Sequence, residues 1–111
     1  MKKILEWNNN NIEDYHLLKG QLLIEQEKYN EANKELDEVI RINPKNADAY
    51  FFKGYINANS KPRQGQEVLK NFLISIKLDK KNKLYFYNYG ITLLEENRVN
   101  ESIQFFMKLL N

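Results

Sequence analysis

Apolar residues recur along this chain at intervals of three and four, in six stretches separated by short polar breaks. Such spacing collects them on one face of an α-helix, which turns once every 3.6 residues. Leu18, Leu22 and Leu23 make the first stripe. A polar break over Glu25 to Lys28 separates it from the second, Ala32, Leu36, Val39 and Ile40. The third runs from Tyr50 to Ala58, and the fourth takes in Val68, Leu69, Phe72, Leu73 and Ile76, with Ser60 to Gly65 between them. Phe86 to Leu94 and then Ile103, Phe106 and Leu110 complete the set, divided at Asn97-Arg98. Asn43-Pro44 closes the second stretch, because proline lacks the amide donor and pushes its predecessor out of the helical region. The pattern predicts an all-α fold of six helices, each of about 11 to 15 residues.

The stretches also repeat as pairs. Three of the four glycines, Gly20, Gly54 and Gly90, follow Tyr15-His16-Leu17-Leu18-Lys19, Tyr50-Phe51-Phe52-Lys53 and Phe86-Tyr87-Asn88-Tyr89. They stand 34 and 36 residues apart. On that period the chain divides into repeats over 13–46, 47–82 and 83–111, preceded by 1–12. The later halves match too. Tyr29-Asn30-Glu31-Ala32 aligns with Val99-Asn100-Glu101-Ser102, and Arg41 to Asn46 aligns with Lys77 to Asn82. A glycine inside a helix costs about 1 kcal/mol against alanine, so three in one register point to a packing reason. Each is expected to admit the second helix of its hairpin, with Ala32 and Ser102 on the facing surface. In the middle repeat Val68 takes that small-residue place, which puts Leu69, Phe72, Ser75 and Ile76 in register with Asn33, Leu36, Val39 and Ile40.

These residues resemble the tetratricopeptide repeat. The first segment carries Gly20, Tyr29, Ala32, Leu36 and Pro44 at its signature places, with His16 where a large aromatic is usual. The third carries Phe86, Gly90, Leu93, Val99, Ser102, Phe106 and Leu109. The second departs most: Asn57 replaces an apolar residue, and its inner turn is two residues longer. The resemblance implies a right-handed solenoid of three antiparallel helix hairpins whose first helices line a concave face that holds a peptide or partner protein. Positioned by the repeat glycines, that face would comprise Leu17, Gln21, Ile24, Phe51, Tyr55, Ala58, Tyr87, Ile91 and Leu94, with Asn88 at its margin. This lining is apolar and aromatic, so an apolar or aromatic partner segment is expected. The family's clamp for acidic chaperone tails uses lysine, asparagine and arginine. Its places here hold Leu17, Gln21, Phe52, Leu84 and Asn88, so carboxylate-tail binding is not expected.

A repeat array needs polar outer faces at its two extremes. Here the last helix carries Phe105, Phe106, Met107, Leu109 and Leu110. Phe105, Met107, Leu109 and Leu110 are therefore expected to support self-association into a homo-oligomer, or to belong to a longer array. Lys3 to Asn8 reads either as a capping turn or as the remnant of a preceding repeat. Holding an unfolded substrate as a secretion or assembly chaperone is a further alternative for the same groove.

Composition narrows the chemistry. Charged residues make up 29 % and hydrophobic ones 42 %, which is globular rather than disordered. The formal charge of +2 is too small to hold a nucleic-acid backbone by itself. Lys77, Lys80, Lys81 and Lys83, near Tyr85 and Tyr87, read as a solvated turn, and no nucleic-acid partner is expected. Cysteine is absent, His16 is the one histidine, and no metal site, cofactor or catalytic residue is expected. Glu13-Asp14 and Glu95-Glu96 diverge on their helices and read as solvated faces rather than acid–base pairs. Every glycine is isolated, which excludes phosphate-binding loops. Asn100 is expected to cap the last helix rather than to carry a glycan. Without an export signal or an apolar span, no membrane partner and a cytoplasmic location are expected.

Overall fold

The computed structural model describes the backbone of residues 2–110 and the side chains of residues 11–110. Six helices follow one another: α1 (Lys2–Glu25), α2 (Tyr29–Ile42), α3 (Ala47–Asn59), α4 (Gly65–Leu78), α5 (Lys83–Glu95) and α6 (Val99–Leu110). α1 packs on α2, α3 on α4 and α5 on α6, and successive hairpins meet through α2 with α3 and α4 with α5. The body measures 52 × 34 × 17 Å, a slab of stacked hairpins rather than a sphere around one core. α1 runs unbroken from Lys2 and at 24 residues exceeds the expected length, so residues 2–12 continue directly into the first helix of the first repeat. The side chains of Lys3 to Asn8 lie outside the described residues.

Local chemistry sets each boundary. Between hairpins, Asn43 and Asp79 leave the helix in extended conformation and accept from the amides of Lys45 and Lys81. Asp79-Lys80 thus makes the same turn as Asn43-Pro44 without the proline. Asn46 and Asn82 then cap α3 and α5, accepting from the amides of Ala49 and Leu84. Within the first and third hairpins, Glu27 and Asn97 adopt left-handed φ of 60° and 61°. The amides of Lys28 and Arg98 reach back five residues to the carbonyls of Leu23 and Leu93, both at 2.8 Å, closing a Schellman motif. α6 starts at Val99, so Asn100 lies within its first turn and does not cap it.

The middle hairpin is built differently. Its turn spans residues 60–64, and Asn57 sits where the other repeats carry Leu23 and Leu93. Asn57 donates to Gln64 Oε1 at 2.7 Å and accepts from the buried Asn71 at 2.8 Å, while its carbonyl takes the Gln64 amide. A polar network therefore replaces the tight turn. Among the described residues no buried side-chain polar atom lacks a partner.

The repeat glycines make room for large side chains rather than for Ala32 and Ser102 alone. A Cβ on Gly20 would lie 3.1 Å from Leu36 Cδ2, on Gly54 2.6 Å from the Phe72 ring, and on Gly90 2.4 Å from the Phe106 ring. Ser102 does face its glycine, donating to the Gly90 carbonyl at 2.8 Å. Phe72 is buried and stacked on Phe51, so it cannot yield. Gly54→Ala is expected to cost about 1–2 kcal/mol net, overpacking outweighing the gain in helix propensity. Gly20→Ala, meeting a branched side-chain tip at longer distance, should stay within about 0.5 kcal/mol of the parent. Equilibrium urea unfolding of the two variants measures the contrast.

Candidate binding groove

The first helices of the three hairpins contribute to one side of the slab. Gln21, Ile24 and Glu25 of α1, Phe51, Phe52 and Tyr55 of α3, and Leu84 and Asn88 of α5 line an open concavity of about 490 Å³. Five of the ten expected residues meet here: Gln21, Ile24, Phe51, Tyr55 and Asn88. Tyr55 and Leu84 are exposed and offer apolar surface. Among the described residues Glu25 is the one charged group that lines the concavity, and no cation does. Asn88 is held by its amide nitrogen, which donates to the Leu84 carbonyl at 2.8 Å.

The other expected residues are placed elsewhere. Leu17 packs against the core of the first repeat, which is built from Leu23, Ile24, Ala32, Leu36 and Ile56. Ile24 belongs to that core and gives the groove only an edge. Ala58 and Ile91 are half-buried outside the concavity, and Leu94 is exposed beyond it. Tyr87 lines a separate depression of about 410 Å³ with Lys83, Phe106, Leu109 and Leu110. Phe52 and Leu84, which fail as clamp residues, line the groove, a role readable from their place in the repeat.

Phe51 has a second role. Its ring stacks on Phe72 and lies against Tyr85, both at 5.1 Å between centroids, joining the second and third repeats. Tyr85 is buried, and its hydroxyl donates to Asp48. Burial first, and the neighbouring carboxylate second, push the phenol well above its ordinary pKa. Tyr85 is thus unavailable to a nucleic-acid strand passing Lys77 to Lys83. Phe105, expected at a self-association surface, packs inside its repeat against Phe86 and Tyr89.

Three of the four adjacent carboxylates, Glu13, Glu95 and Glu96, are tied into the scaffold. Glu13 accepts from Asn43 at 2.9 Å and Asn46 at 2.7 Å, tying α1 to the turn between the first two repeats. Arg63, on the long middle turn, lies 3.3 Å from Glu95 and 3.8 Å from Glu96. Glu35, on α2, faces His16 and Lys19 of α1. Partial burial raises the Glu35 pKa, but hydrogen bonds from His16 and Lys19 outweigh it and leave the carboxyl below its usual range. No cluster of His, Cys, Asp and Glu suited to a metal occurs among the described residues. No helix among them is long and apolar enough to cross a membrane.

Residues 20–60, from the first repeat glycine through α3, match the family model described as TPR repeat. The chain is similar to the tetratricopeptide repeat over that stretch. A solved structure titled MamA RS-1 ArsTM double mutant shares its fold, with a TM-score of 0.77 over 98 % of this chain and 20 % identity. The chain spans 60 % of that structure's length. No curated protein matches it. Repeats of this family generally mediate protein–protein interaction.

Proposed function

We propose that the concave face is a protein-interaction site that holds an apolar or aromatic segment of a partner, and that the chain has no catalytic role. The observation that carries this reading is the groove floor. Tyr55 and Leu84 stay exposed beside Phe51 and Phe52, in a concavity with one acidic and no basic group among its described lining residues. Exposed aromatic surface framed by polar residues is what an anchoring side chain of a partner covers most favourably. An acidic tail would find no counter-charge there, so carboxylate-clamp binding is set aside. A chaperone that holds an unfolded segment would use the same floor.

Selection from a library of random dodecapeptides tests the reading even while the natural partner is unidentified. Selected peptides should be rich in aromatic and branched apolar residues. Tyr55→Ala should weaken them about 30-fold, the equivalent of about 2 kcal/mol for an anchoring aromatic. The fold should be spared, since substitution of an exposed side chain changes stability by about 0.5 kcal/mol or less. Peptides whose affinity ignores both Tyr55→Ala and Leu84→Ala would remove the groove from consideration. Phe51→Ala is a poorer probe, because its ring also holds the second and third repeats together.

A further inference from the structure

The internal junctions show what this repeat uses to stack, and the outer faces show the same positions uncovered. Five residues before each glycine stand Tyr15, Ala49 and Tyr85, and two residues after stand Leu22, Ile56 and Thr92. At the two internal junctions these positions are closed, for Ala49, Ile56, Tyr85 and Thr92 are all buried. On the outer face of α1, Tyr15 is 56 % and Leu22 54 % exposed. The stripe of Leu18 and Leu22 thus faces outward, while Leu23 and Ile24 fill the core. The second helices show the converse at the opposite extreme. Val39 and Ser75 are fully buried where Leu109 is 41 % exposed, and Ile76 is buried where Leu110 is 87 % exposed.

The two outer faces thus leave exposed the positions that are buried at an internal junction. Inside the chain, Ile56 enters the cluster of Leu23, Ile24 and Leu36, and the Tyr85 ring lies against Phe51. Moved along by the repeat period, Leu22 would take the place of Ile56 and meet Leu94 and Phe106, and Tyr15 would take the place of Tyr85 and meet Tyr87. Tyr87 already stands exposed beside the depression that Leu109 and Leu110 border. We propose that α1 of one copy seats on the outer face of α5 and α6 of a second copy, continuing the repeat from chain to chain. The contact is heterologous, so every assembly keeps one free face of each kind at its two extremes and grows with concentration.

Sedimentation of the 111-residue chain across a concentration series, with two exposed-face variants, tests this. The parent should associate progressively by about 100 µM, and Leu22→Glu and Leu109→Glu should each be monomeric with unchanged helical circular dichroism. Mixed together, the two variants should form a one-to-one dimer and nothing larger, since one keeps the α6 face and the other the α1 face. A strictly monomeric parent would overturn the proposal, as would association that survives either variant or a mixture that stays monomeric. Should a variant lose helicity, Leu18→Glu and Leu110→Glu carry the same test.

Discussion

Phe72→Ala is expected to remove about 4 kcal/mol of stability, a large part of the roughly 5–15 kcal/mol available to a domain of this size. Phe72 is almost wholly buried, fills the space opposite Gly54, and stacks on Phe51 at 5.1 Å with the planes 23° apart. Truncation removes that contact area and leaves a cavity that cannot collapse, because Gly54 has no side chain to follow the retreating ring. Phe72→Leu should recover most of the loss by refilling the cavity. Denaturant midpoints read at constant slope check both values, and a loss under about 1.5 kcal/mol for the alanine variant would mean that the middle hairpin packs otherwise.

Tyr85→Ala is expected to cost about 3–5 kcal/mol, with the damage concentrated on one side of the slab. The ring, on α5, is buried against Phe51 of α3, and its hydroxyl donates to Asp48, also of α3, so the residue joins the second and third repeats. In a linear stack, stability is a sum of repeat and junction contributions, so breaking this junction releases the third repeat before the first. Amide exchange in α5 and α6 should accelerate far more than in α1 and α2. Tyr85→Phe keeps the ring and should cost only about 1 kcal/mol, the worth of one hydrogen bond. Uniform acceleration across all six helices would indicate a single cooperative core in place of stacked repeats.

The repeat is legible in the sequence because it is written twice, in the glycine register and in the apolar stripes. Five of the six helices emerge close to the expected length, and Val68 sits fully buried in the register assigned to it. Less can be read where one helix carries two apolar faces. On α1, periodicity alone does not separate the Leu18 and Leu22 face from the Leu23 and Ile24 face, and only the packing shows which is core. Leu17 and Phe51, groove residues by register, share their area with the core or the next repeat, because a residue at the rim of a stack serves two surfaces. Asn57 taken alone is a defect in the motif. With Asn71 and Gln64 in place, it is the organiser of a longer turn, a network whose members are too far apart in sequence to be recognised as one. Glu13 likewise finds its asparagine partners about thirty residues away.

Chemical-shift mapping of isotope-labelled protein with a selected apolar dodecapeptide tests most directly whether the concave face is the binding site. The largest perturbations are expected at Gln21, Tyr55, Leu84 and Asn88, around the concavity, with Glu31, Lys34 and Lys70 on the second helices unmoved. Perturbations centred on α2 and α4, with the groove residues silent, would contradict it.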